Sequence, residues 1–185
     1  MKIAVYSGSF NPLHIGHQAI MEYLTGAAEF DWVYLVISPQ SPFKDPSNLK
    51  TGEQRYQDAV AAVRRHPELH VWVDDIELSM APPHYTIRTL DALKKRESSN
   101  DFTLVIGADN LACFKEWSGY RRILREYGVI TYPRPGFDAD SLCRNLMAED
   151  PEYRISIIRA PMVNVSSTVI REGLQQGTDI SDLLM

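Results

Sequence analysis

Two short stretches hold residue types whose spacing suits the binding and neutralisation of phosphate. In Gly8-Ser9-Phe10-Asn11-Pro12-Leu13-His14-Ile15-Gly16-His17, two imidazoles stand three residues apart with a glycine between them. Gly8 can take a strained turn, and Pro12 fixes the loop. In Val165-Ser166-Ser167-Thr168-Val169-Ile170-Arg171, three hydroxyl residues precede an arginine. Hydroxyls at a helix start satisfy its leftover N–H groups, and the helix end favours negative charge. Arg171, one turn in, can reach the same anion. Each stretch has a plainer reading. The histidines could cap a helix or be two zinc ligands, but zinc wants a third and fourth ligand and no Cys/His cluster lies near by. The Ser-Ser-Thr run with Arg171 could be no more than a well-capped helix with a surface arginine.

Two phosphate cradles at opposite ends of one chain imply a triphosphate plus a second phosphate, and that combination suggests nucleotidyl transfer. An acceptor phosphate oxygen attacks the α-phosphorus of a nucleoside triphosphate, and pyrophosphate leaves. Such a reaction asks the protein for in-line positioning and charge neutralisation more than for covalent chemistry. Histidines and arginines supply both. The Mg²⁺ would travel on the phosphates, since no carboxylate cage for a metal is evident and no protein metal site is expected.

These residues need elements to position them. Lys2–Tyr6 is a short apolar run that reads as a buried strand, and Ile20, Tyr23, Leu24, Ala27 and Ala28 recur at helical spacing after the first stretch. Strand, turn and helix in that order aim backbone N–H groups and a helix N-terminus at one spot. Asp31–Ser38 is a second, continuously apolar strand, as a central parallel strand should be. A polar loop with Pro39, Pro42, Pro46, Lys44 and Lys50 follows. Thr51 with Gln54 three residues on predicts a capping box, and His66-Pro67 closes that helix. Further strands are expected at Leu69–Asp74, Phe102–Ile106, Gly128–Tyr132 and Arg154–Arg159. Helices are expected from Thr86 as N-cap to about Arg96, around Tyr120–Arg125, over Asp140–Met147, and from Ser166 to about Gln176. Asp75–His84 reads as irregular. Strands alternate with helices throughout, so the fold class is α/β with a doubly wound, mostly parallel sheet in one domain, 1–185. Ligands are then expected in the crevice outside the carboxyl ends of the strands.

Composition narrows the classes. A hydrophobic fraction of 44% and a charged fraction of 23% are ordinary for a soluble globular protein. A formal net charge of −5 argues against a broad nucleic-acid surface, though not against a local basic pocket. The longest strongly apolar run, Trp32–Ile37, is far too short to span a bilayer, and the chain opens on a strand and a polar loop rather than a charged-then-apolar leader. Cys113 and Cys143 stand far apart in no C-x-x-C pattern, which fits a reducing cytoplasm.

The first stretch resembles the G-[ST]-F-[DN]-P-x-H-x-G-H signature of the nucleotidyltransferase superfamily, and the second resembles its I-S-S-T-x-I-R signature with Val165 in place of Ile. Between them, Asp75-Ile76-Glu77-Leu78, Tyr85-Thr86-Ile87, Ile106-Gly107-Ala108-Asp109, Trp117 and Pro133-Arg134-Pro135-Gly136 occur in an order similar to that of the bacterial nicotinate-nucleotide adenylyltransferases. Ser7 stands where that family commonly has Gly, and Ser41-Pro42-Phe43-Lys44 where it has Pro-Pro-His-Lys. The resemblance implies a Rossmann-like nucleotidyltransferase fold and adenylyl transfer from ATP to nicotinate mononucleotide. It places His14, His17 and Arg171 in catalysis. ATP would be held by these three with Gly8, Ser9, Phe10, Asn11, Gly16, Gly107, Asp109, Ser166, Ser167 and Thr168. Nicotinate mononucleotide would meet Lys44, Tyr85, Thr86, Asp109, Trp117 and Arg134. Tyr85 and Trp117 are planes that could stack a pyridine ring, and Asp109 could orient ribose hydroxyls or merely cap a helix. The implied partners are these two small molecules, with no nucleic acid and no membrane; a homo-oligomer stays open. Two alternatives also stay open: another superfamily transferase, such as a phosphopantetheine or cytidylyl transferase, and a non-catalytic nucleotide-binding regulator on the same fold.

Overall fold

The computed structural model describes residues 1–39, 51–160, 163 and 165–185. Six strands form one sheet: β1 (Lys2–Gly8), β2 (Trp32–Ile37), β3 (Val71–Asp74), β4 (Asp101–Gly107), β5 (Val129–Tyr132) and β6 (Ile155–Ile157). Their order is β3-β2-β1-β4-β5-β6, and every pairing is parallel. The expectation of a mostly parallel sheet thus becomes an all-parallel one. The two central strands are buried on both faces, which is why their sequences run apolar without alternation.

Helices cover both faces. On one, Ala4, Leu35 and Val73 pack against Ile20, Met21 and Leu24 of α1 (Ile15–Thr25) and Ala59 and Ala62 of α2 (Gly52–Arg64). Beyond β3 a short α3 (Ile76–Ser79) leads to α4 (Thr86–Arg96). On the second face, Ile3, Val5 and Leu104 pack against Leu90 and Leu93 of α4 and Leu111 of α5 (Ala108–Ala112). A single turn, α6 (Tyr120–Arg122), runs into a π-helical stretch, Ile123–Tyr127. Cys143 and Leu146 of α7 (Ala139–Met147) complete that core, and α8 (Ser167–Gln175) follows β6. Among the described residues no helix is long and apolar enough to cross a membrane.

The capping logic holds at α2, where Thr51 Oγ1 accepts from Gln54 N and Gln54 Oε1 accepts from Thr51 N. It shifts elsewhere. The N-cap of α4 is Tyr85 and not Thr86, so Thr86 is the first helical residue. The stretch read as irregular contains α3, started where Asp74 Oδ1 accepts from Ile76 N at 3.0 Å. The helix around 120–125 turns π-helical after Arg122, and Ile123 O accepts from Gly128 N at 2.8 Å.

Candidate active site

The sheet order reverses between β1 and β4, which opens a crevice outside their carboxyl ends. The Gly8–His17 loop leaves β1 and enters α1 on one side of that crevice; Gly107 ends β4 and starts α5 on the other. Phe10 takes a positive φ of 41° and buries its ring edge-on to Tyr6 at 5.2 Å and to His17 at 5.1 Å. That buried ring holds the loop in a conformation that a β-carbon disfavours.

His14 is the N-cap of α1, and His17 sits three residues on. Their rings stack at 3.7 Å between centroids. A Cβ on Gly16 would stand 3.1 Å from two atoms of the His14 ring, so the glycine between the histidines is what allows the stack. His14 N donates to His17 Nδ1 at 3.3 Å, so a neutral His17 carries its proton on Nε2. His14 is buried, and its Nδ1 has no hydrogen-bond partner among the described residues. Burial, helped by the Arg134 guanidinium, lowers its pKa from 6.5 to about 4. At neutral pH it is an uncharged imidazole.

The second motif docks on the first. Ser166 caps α8, its Oγ accepting from Val169 N at 3.3 Å. Ser167 Oγ instead donates to Pro12 O at 3.2 Å, and Thr168 Oγ1 accepts from Arg171 Nη2 at 3.1 Å. Arg171 Nη1 donates to Asn11 O at 2.9 Å. Of the three hydroxyls expected to cap, one caps, one ties the two motifs together and one orients the arginine.

Across the crevice Asp109 Oδ1 is buried without a hydrogen bond among the described residues and lies 3.5 Å from Arg134 Nε. A Cβ on Gly107 would stand 2.3 Å from that oxygen, so only glycine lets the carboxylate fold back over the strand end. Tyr6 and Tyr132 meet beneath, hydroxyl to hydroxyl at 3.4 Å, and burial pushes both phenols up. Trp117, half-buried, tilts on Phe114 at 5.1 Å, and Tyr85 is exposed. These two regions meet through Gly119, whose missing Cβ would lie 3.2 Å from Ile87 Cβ. The first α4 bonds are Arg88 N and Thr89 N to Tyr85 O, so the N–H groups of Thr86 and Ile87 precede the ladder. Lys44 lies outside the described residues.

Two further groups shape the crevice without having been singled out for any role in the sequence. Arg55, 1% exposed, donates from Nη1 to Ser9 O at 2.7 Å and from Nη2 to Pro39 O at 2.8 Å. Its signal was a cation on the Arg55-Ala59-Ala62 stripe that α2 buries. Glu77, 3% exposed, accepts at Oε1 from Thr89 Oγ1 at 2.8 Å and from Ser7 Oγ at 3.4 Å. Ser7 also lies 3.1 Å from Ser38 Oγ. Its one proton goes to Glu77, so Ser38 donates in that pair. Glu77 belongs to the quoted Asp75–Leu78 segment, but spacing alone could not say that it is buried.

This fold and crevice define a nucleotidyltransferase of the cytidylyltransferase-like class, and the cytidylyltransferase-like family model matches residues 5–173. Curated relatives of the chain carry the name "Probable nicotinate-nucleotide adenylyltransferase". The one from Bacteroides fragilis is 37% identical over 179 residues, covering 97% of this chain and 85% of the relative. The one from Flavobacterium johnsoniae is 33% identical over 184 residues, covering 100% and 92%. The chain belongs to the nicotinate-nucleotide adenylyltransferase family. The fold is also that of the Plasmodium falciparum nicotinic acid mononucleotide adenylyltransferase complexed with NaAD, at a TM-score of 0.76 and 19% identity over 98% of this chain and 87% of that one.

Proposed function

We propose that the chain transfers the adenylyl group of ATP to nicotinate mononucleotide, giving deamido-NAD and pyrophosphate, as one nucleotidyltransferase domain over residues 1–185. The observation that carries this reading is the docking of Arg171 and Ser167 onto the Asn11-Pro12 backbone. It sets a guanidinium and two helix N-termini around one crevice, beside a histidine stack, in a chain whose relatives bear the adenylyltransferase name.

In this reaction a phosphate oxygen of the mononucleotide attacks the α-phosphorus of ATP. The new phosphorus–oxygen bond forms as the bond to the β-phosphate bridge breaks, and pyrophosphate leaves. His14, neutral, offers an N–H to the α-phosphate oxygens as charge builds there, and His17 Nε2–H is a second donor. Arg171 and the α8 N-terminus hold the β- and γ-phosphates and take up the charge of the leaving pyrophosphate. Asp109 receives ribose hydroxyls, which gives its orphaned Oδ1 a donor. Arg134 faces the mononucleotide phosphate. The pyridine ring lies against Trp117 and Tyr85, and the Thr86–Ile87 N–H groups face its carboxylate.

ATP enters as its magnesium complex. The crevice side chains named above are mostly donors, which fits phosphate oxygens carrying the ion. Among the described residues no group of three or more His, Cys, Asp or Glu converges to hold one directly. Two free cysteines are compatible with a reducing cytoplasm as the working compartment. Pyrophosphate release from ATP, measured with nicotinate mononucleotide and with 4′-phosphopantetheine as acceptors, tests the assignment. Release only with the pyridine acceptor supports it; release only with phosphopantetheine moves the chain to another branch, and release with neither removes the enzyme.

A further inference from the structure

Beyond α8 the chain returns to the histidine loop. It first turns back on its own helix: Thr178 N donates to Gly173 O at 2.9 Å, and buried Ile180 lies where a Cβ on Gly173 would stand 2.9 Å from its Cγ2. Asp179 Oδ1 accepts from Ser181 N at 3.0 Å and from Ser181 Oγ at 2.7 Å, which starts a 3₁₀ turn over Ser181–Leu183. Leu184 then forms an isolated antiparallel bridge with His14. Met185 is buried in the same cluster as Tyr6, Phe10 and Leu13, and its main-chain oxygen accepts from Nη2 of Arg65, the C-cap of α2. The segment is thus held at α8, at His14 and at α2. Residues paired across an antiparallel bridge carry their side chains on the same side, with Cβ atoms about 5 Å apart. The Leu184 side chain is therefore a neighbour of the His14 ring. His14 is 5% exposed and Leu184 37%, so the leucine is the outer member of the pair. The other neighbours of the imidazole are the stacked His17 ring and Gly16, with the Arg134 guanidinium acting on it through its charge.

We propose that Leu184 is a positioning residue for His14: the returning segment pins the histidine backbone from outside the motif, and the leucine side chain keeps water from the ring. Residue 184 belongs to neither signature. α8 thereby fixes the site from both ends, through Ser167 and Arg171 near its start and through the segment that follows it. The value of the contact for turnover rests on the adenylyltransferase reading above. A donor to the α-phosphate oxygens works best when it is held in place before charge develops, and a ring open to water is freer to move.

Leu184→Ala keeps the backbone bridge and removes the cover. The NMR titration midpoint of His14, kcat and the KM of each substrate are measured for wild type, Leu184→Ala and Met185→Ala. In Leu184→Ala the midpoint is expected to move from about 4 to about 5, because the ring gains solvent while His17 and Arg134 stay in place. Turnover should fall about tenfold and neither KM should change by more than about twofold, since the donor is displaced and the substrates are not. The melting temperature should barely move, the side chain being partly exposed already. Met185→Ala, which empties a core position, should lower the melting temperature and move the midpoint in the same direction. A purely structural segment would change melting alone and leave the midpoint and kcat where they were. An unchanged midpoint or an unchanged kcat in Leu184→Ala overturns the proposal, even if Met185→Ala fails to fold. If the wild type forms no deamido-NAD, the functional reading falls, and the midpoint alone then decides whether Leu184 shields His14.

Discussion

Arg171 donates from Nη1 to the carbonyl oxygen of Asn11, 2.9 Å away across 160 residues of sequence. One bond thereby joins the β1–α1 loop to α8 and holds the arginine at the mouth of the histidine loop. Thr168 holds its other terminal nitrogen, so the guanidinium plane is fixed before any substrate arrives. Preorganised charge of this kind needs no rearrangement as the reaction proceeds.

Arg171→Ala should weaken ATP binding and cut turnover while leaving the affinity for nicotinate mononucleotide alone nearly intact. Calorimetric titration of each ligand separately checks this. If both weaken equally, the arginine serves the loop and not the triphosphate.

His14→Ala should lower kcat by about 10²-fold, the scale of losing one preorganised donor to a developing oxyanion. Its melting curve should remain cooperative, because Phe10 and Tyr6 stay in contact beneath the loop. Near-normal turnover of the folded variant would remove His14 from the chemistry.

The pH behaviour of His14 follows from its burial. With a folded pKa of about 4 against 6.5, the unfolded chain binds more protons than the folded one between those values. Burial of this imidazole therefore costs the fold nothing through titration above pH 6.5 and destabilises it progressively as pH falls towards 4. The total is about 3 kcal/mol, taking 1.36 kcal/mol for each pKa unit. NMR titration of the imidazole C–H resonances should place one of the five histidines near pH 4, and His14→Asn should remove that resonance. A His14 midpoint above 6 would make it an imidazolium at work and change its role from hydrogen-bond donor to cation.

The mononucleotide pocket should separate nicotinate from nicotinamide mononucleotide. The start of α4 offers the N–H groups of Thr86 and Ile87, and a carboxylate accepts from both. An amide would turn its NH₂ against a donor or forgo a bond. A mismatch of that kind is worth roughly 10²-fold or more in kcat/KM. Equal kcat/KM values at saturating ATP would contradict this account of the pocket and leave adenylyl transfer standing.

Much of this was legible in the sequence for identifiable reasons. Buried parallel strands read as unbroken apolar runs, and β1, β2 and β4 are such runs, so the sheet could be drawn from the chain. Gly16 and Gly107 stood in motifs, and the structure supplies the cause: each makes room for a side chain, the His14 ring in one case and the Asp109 carboxylate in the other. What stayed hidden was polar and buried. Arg55 bonds main-chain carbonyls, which carry no residue identity, so no partner could be read for it. Glu77 meets Ser7 and Thr89, a strand end and a helix face that come together only when the sheet closes. The shift of the α4 cap from Thr86 to Tyr85 is a one-residue boundary effect that propensity cannot resolve.

The claim that the chain moves an adenylyl group, rather than a phosphoryl group or nothing at all, is tested most directly by following two labels. Purified protein is given magnesium, nicotinate mononucleotide and ATP labelled at either the α- or the γ-phosphorus. The α-label is expected in deamido-NAD and the γ-label in pyrophosphate, in equal amounts and only when the mononucleotide is present. An α-label that stays in adenosine phosphates, or a γ-label that reaches the pyridine nucleotide, would contradict the account.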